Sequence, residues 1–219
     1  MNKTFENKNL EIIHSFSLWK EFEYVLNENS SNFLPYHNLN HILSVMEASY
    51  TLINAYIAAG EKFTEQQIRN LLIAALFHDF KHSGGKLNDT DNVKKAIDCF
   101  RKFVALNNNK YYKYYTVENI TEVENIIQMT TYPYIKPIDE IGLRGKIIRD
   151  ADLAQSARAD FFISMVGLMY EHKAELKTVV KNTIQFNKDN PFHLELSEKY
   201  FGEQRKQNIQ DLELFSNKL

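Results

Sequence analysis

Apolar residues spaced three and four apart recur along nearly the whole chain, and little interrupts them: 219 residues contain only seven glycines and four prolines. Strands joined by tight turns need more of both, and need alternation instead of helical spacing. The pattern therefore predicts an all-α fold, a compact single-domain helical bundle over residues 1–219. The clearest segment is 65–78, where Ile68, Leu71, Leu72, Ala75 and Leu76 crowd one helix until it is apolar nearly all round. Such a helix belongs in the centre of a bundle. Thr64, followed three residues later by Gln67, supplies its capping box.

Other helices are expected over 17–27, 37–59, 91–106, 116–129, 157–172, 175–187 and 195–215, with one more ending near Asp152. Pro35 biases Leu34 away from helix, so the second of these should start near His37 and stop at Gly60. Loops are expected at 29–35, 81–89 and 130–137, and a turn at Asn107-Asn108-Asn109. A core carrying the site would span about 35–155, with C-terminal helices over 157–216. Trp19 should pack the first helix onto the body, and Cys99 reads as a small buried hydrophobe.

Hydrophobic residues make up 44% of the chain, enough for a real core. The net charge of −2 argues against a general nucleic-acid binder, which needs a basic face. A single cysteine excludes an intrachain disulfide. The N-terminus shows no apolar leader, and the longest apolar run, 71–77, is far too short to span a bilayer. The expectation is a soluble, cytoplasmic protein with no membrane partner.

Histidines and aspartates carry the chemistry. His37 and His41 are four apart at an expected helix start, which would put both rings on one face. His78 and Asp79 are adjacent at an expected helix end, where the turning backbone lets both face one point. Asp152 comes from a separate helix. Imidazoles with two carboxylates suit Zn²⁺, Mn²⁺, Fe²⁺ or Mg²⁺ in a hydrolytic site better than a structural zinc. Each sits in apolar helical sequence, where an unpaired polar group is costly.

These residues resemble the HD-domain metal-dependent phosphohydrolase superfamily, and most closely the catalytic domain of class I 3′,5′-cyclic nucleotide phosphodiesterases. Tyr36-His37-Asn38-x-x-His41 is similar to that family's Y-H-N-x-x-H string. His78-Asp79-x-x-His82-x-Gly84 is similar to its H-D-x-x-H-x-G, and Asp152-Leu153-Ala154 to its D-L-A. The resemblance implies two divalent metal ions, Zn, Mn or Fe at the first site and Mg or Mn at the second. His41, His78, Asp79 and Asp152 would hold the first, and Asp79 would bridge to the second. His37 would be the general acid, and His82 would orient waters of the second ion. The substrate would be a small nucleotide, most simply a 3′,5′-cyclic phosphodiester. A 5′-nucleotidase-type phosphomonoesterase is the alternative within enzymes, and a non-catalytic metal- or nucleotide-binding sensor the alternative outside them. Oxygenase and HD-GYP branches need further histidines between the H-D pair and the last Asp, and none occurs between His82 and His172.

That family also uses a glutamine to grip the base and an acidic residue to support its catalytic histidine. The candidates by position are Gln204, Gln207 and Gln210 for the first, and Glu118, Glu122 and Glu124 for the second. His172 and His193 lie outside the constellation. Arg149 is expected to pair with Asp150 or to meet a phosphate, Thr130-Thr131-Tyr132-Pro133 to border a pocket or form a plain loop, and Tyr111, Tyr112, Tyr114 and Tyr115 with Lys110 and Lys113 to form an amphipathic connecting surface, the alternative being a base-stacking one.

Overall fold

The structure, a computed structural model, describes residues 3–107 and 114–219. Among these residues every regular element is helical: α1 (Lys3–Ser15), α2 (Trp19–Glu28), α3 (Leu39–Ala58), α4 (Glu65–Phe77), α5 (Asp89–Asn107), α6 (Val117–Gln128), α7 (Leu143–Leu153), α8 (Phe161–His172), α9 (Leu176–Asp189), α10 (Glu195–Ser197) and α11 (Glu203–Ser216), with a π turn at Glu198–Gly202 joining the last two. None is long and apolar enough to cross a membrane.

α4 is the central helix. Every residue from Ile68 to Phe77 is buried, and α2, α3, α5, α6 and α7 pack around it. Thr64 Oγ1 accepts from Gln67 N–H at 3.1 Å and Gln67 Oε1 accepts from Thr64 N–H at 3.0 Å, closing the expected capping box. Gly60, at φ 100°, ends α3 as expected. The C-terminal part builds a second, smaller apolar cluster: Phe161 and Met165 from α8, Val179 and Val180 from α9, Leu212 from α11.

The structure corrects several boundaries. α1 precedes the first expected helix; it is anchored by Ile12 and Ile13, both buried in the core. Trp19 remains 47% exposed and meets the Phe22 ring edge-on, whereas Leu18 and Val25 are fully buried and anchor α2. α3 begins at Leu39, because Asn38 Oδ1 accepts from the N–H groups of Asn40 and His41 and so caps it. Residues 108–109 of the expected turn and 110–113 of the tyrosine cluster lie outside the described residues, and Asn107 is the last residue of α5. Tyr114 and Tyr115 face inward: Arg69 lies 3.6 Å over the Tyr114 ring, and the Tyr115 hydroxyl donates to the buried Glu21.

Candidate active site

Three helices deliver the predicted donors to one point. His41 Nε2, from the first turn of α3, lies 3.1 Å from Asp79 Oδ2 and 3.3 Å from Asp152 Oδ1. His78 Nε2, just past α4, lies 3.3 Å from Asp79 Oδ2 and 3.2 Å from His41 Nε2. Asp152 stands in the last turn of α7. The turn holding Asp79 is itself fastened: Asn29 Oδ1 accepts from Lys81 N–H at 2.7 Å, and Lys81 takes a left-handed φ of 59°.

The donor set fits a divalent cation. His78 Nδ1 faces the Ala75 carbonyl at 2.8 Å, and a carbonyl only accepts, so Nδ1 carries the proton and Nε2 presents its lone pair. Two imidazole nitrogens and the Asp79 carboxylate thus converge, with Asp152 beside His41 and no cationic side chain among them. Protonation shows the same field. Burial pulls His41 down, yet hydrogen bonds and charge from Asp152 and Asp79 outweigh it and hold the group up at about 10. His78 is likewise raised against burial by Asp79. Burial pushes Asp79 up, but His78 and His41 hold it well below the usual carboxylate range.

His37 is placed differently from expectation. Because α3 starts after Asn38, His37 sits before the cap instead of one turn below His41, and the two rings stand 6.0 Å apart at 82°. Its partner is Glu171 on α8. Glu171 Oε2 lies 2.6 Å from His37 Nδ1, while Oε1 accepts from the N–H groups of Tyr36 at 2.6 Å and His37 at 2.9 Å. The Glu171 side chain is fully buried, and burial raises it, but the His37 contact and those N–H donors outweigh that and keep it ionised. Its partner's Nδ1 is thereby engaged, leaving Nε2 for another group.

His82 stacks on His37 at 3.6 Å between centroids. Asn92 Nδ2–H donates to the His82 Nε2 at 2.9 Å, and Gly84 N lies 3.2 Å from Nδ1. Asn92 is held in that orientation because its Oδ1 accepts from Ser83 N–H. A ring nitrogen that already accepts a hydrogen bond resists a proton, and burial with the charge of His37 drives His82 down to about 4.

A cavity of about 500 Å³ opens over these groups and runs to an apolar end formed by Phe161, Met165, Leu168 and Phe186. Thr130 and Tyr132 border it, so the 130–133 segment is pocket wall. Among the described residues lining it there is no lysine or arginine, but there are three aspartates, Asp79, Asp89 and Asp152.

Sequence reasoning missed Glu171. It was sought on α6, but Glu124 pairs with Arg101, Glu122 with Arg144 and Asn70, and Glu118 is exposed. The available signal was a lone acid in the otherwise apolar Phe161–His172 segment. Gln204, Gln207 and Gln210 are exposed on α11 and do not line the cavity; Gln155, after Leu153-Ala154, does. His172 borders the cavity as well, while His193 packs its ring 5.8 Å from Tyr134. Arg149 makes no pair with Asp150; it donates to the carbonyls of Met129 and Lys136.

The fold is that of class I cyclic nucleotide phosphodiesterase catalytic domains. The sequence matches the profile of the 3′5′-cyclic nucleotide phosphodiesterase family over residues 36–126, a stretch holding His37, His41, His78, Asp79 and His82. The structure of Leishmania LmjPDEB1 in complex with IBMX is similar at a TM-score of 0.58 and 12% identity, covering 85% of this chain and 76% of that one. No curated protein matches the chain.

Proposed function

We propose that this protein is a metal-dependent hydrolase that opens the phosphodiester of a 3′,5′-cyclic nucleotide. The observation that carries the reading is the pairing of two devices in one cavity: a converging His41/His78/Asp79/Asp152 donor set, and beside it a histidine whose far nitrogen is engaged by a buried carboxylate. His41, His78, Asp79 and Asp152 would hold one divalent ion, Zn, Mn or Fe, and Asp79 would be shared with a second, Mg or Mn. Bound there, such ions supply an acidified water near neutral pH and polarise the phosphoryl oxygens.

The chain's own groups do the rest. Glu171 holds His37 by its Nδ1 and by the backbone N–H groups of Tyr36 and His37, so its Nε2–H can be presented to the departing 3′ oxygen. Neutral His82 supports the ring by stacking and competes for no proton. The apolar end takes the base. The similarity of residues 36–126 to the 3′5′-cyclic nucleotide phosphodiesterase profile supports a cyclic diester over a monoester. That disfavours the nucleotidase alternative, and the intact His37–Glu171 pair disfavours a non-catalytic sensor. A cytoplasmic location and a part in cyclic-nucleotide signalling belong to the same proposal.

The test is hydrolysis of cyclic AMP, cyclic GMP, 2′,3′-cyclic nucleotides, cyclic dinucleotides and 5′-monophosphates by protein loaded with Mn²⁺, Mg²⁺ or Zn²⁺. Turnover of a 3′,5′-cyclic nucleotide that disappears in Asp79→Ala is expected. Turnover of monophosphates alone would move the protein to the monoesterase class.

A further inference from the structure

Arg149 is 1% exposed, and among the described residues its guanidinium forms no ion pair. The neighbouring Asp150 turns to another task, accepting from the N–H groups of His193 and Leu194, each at 2.9 Å. A buried cation without a counter-charge is expensive unless its protons are satisfied. Arg149 places two of its five N–H donors, and its face, on one loop. Nε–H donates to Met129 O at 2.8 Å, Nη2–H to Lys136 O at 3.0 Å, and the guanidinium carbon lies 4.1 Å over the Tyr134 ring. The two carbonyls stand at the two ends of the segment whose middle, Thr130, Tyr132 and Tyr134, walls the cavity.

We infer that Arg149 is a positioning residue for substrate binding: one fork on α7 closes the 129–136 loop and fixes its wall in register with Asp152, one turn further along the same helix. The inference rests on the nucleotide reading of the cavity. Two further contacts complete the wall: Tyr132 N–H donates to Asp89 Oδ2 at 2.5 Å, and the Tyr132 ring meets Phe186 edge-on at 5.1 Å. A lysine keeps the charge and the stem but cannot bond two separated carbonyls through one planar head.

The test is Arg149→Lys in the full metal-loaded chain, with three readouts. Amide hydrogen exchange over 130–136 should quicken about tenfold or more. Metal content should stay at the wild-type level. KM for the cyclic nucleotide turned over by the wild type should rise about tenfold, with kcat changing less, since a shifted wall weakens binding before it touches the reacting groups. Arg149→Met should do the same with a lower melting temperature, and it carries the test if the lysine variant does not fold. Calorimetric binding of adenosine 5′-monophosphate should weaken in parallel, and it stays measurable if no cyclic nucleotide is turned over. An inactive wild type therefore sinks the reaction, whereas unchanged KM and nucleotide affinity in variants with loosened exchange overturn the inference alone. Full recovery by lysine overturns it as well, because charge would then suffice.

Discussion

His37 and Asp79 occupy one cavity but answer to different losses. His37→Ala is expected to lower kcat by about 10²–10⁴-fold with metal content unchanged. Asp79→Ala is expected to empty the site, by elemental analysis. Glu171→Gln keeps an acceptor for the Tyr36 and His37 amides but removes the charge, so kcat should fall by at least about tenfold, with the metal retained. A pH effect follows from His41. Its folded value of about 10 lies above its ordinary 6.5, so in metal-free protein it contributes stability below pH 6.5 that is lost as pH rises toward 10. Metal binding should reverse that slope, because the ion takes the place of the proton and binds more tightly as pH rises. Melting curves at pH 6.5 and 9, with and without Mn²⁺, check both signs. At this scale the sequence was informative where spacing is short. The meeting of His78-Asp79 with His41 and Asp152 was legible because residue type and local helical context single them out. Glu171 was not, because 134 residues separate it from His37 and only the packing of α8 brings them together.

At the scale of elements, α4 was the most legible, since a helix apolar nearly all round has one place to go, and Thr64 with Gln67 marked its start. Thr64→Ala should cost about 1 kcal/mol by denaturant unfolding. α3 starts two residues later than expected, at Leu39 instead of near His37. Asn38 outcompeted His37 as the start because its side chain can take two helix N–H groups, and that small shift reorients His37 toward α8. Gly167 makes this contact possible. A Cβ there would lie 2.6 Å from Pro35 O and 2.9 Å from Pro35 C, backbone atoms that cannot swing aside. Gly167→Ala should therefore push α8 from the 35–37 segment, destabilise the fold by about 1–3 kcal/mol and lower kcat at least about tenfold without emptying the metal site.

Across the whole molecule, the all-α class followed from scarce glycine, scarce proline and helical spacing. The division of the apolar interior into two clusters did not, because periodicity assigns a residue to a face without saying which neighbour covers it. The cavity borders the smaller cluster through Phe161, Met165 and Val179, and Tyr36 and His41 line it as well. The donors proposed to hold the ions lie on α3, just past the end of α4, and on α7. At one hundred times its dissociation constant an ion adds about 2.7 kcal/mol, a rise of several degrees in Tm that Asp79→Ala should abolish.

The one carboxylate that grips His37 stands on α8, outside every helix that carries an ion-binding donor. Loading and competence are therefore separable conditions. A population of molecules with α8 displaced would carry a full complement of ions and still be idle, so preparations with identical metal assays can differ widely in specific activity, and titration of competent sites, not of metal, is the proper measure of how much enzyme a sample contains.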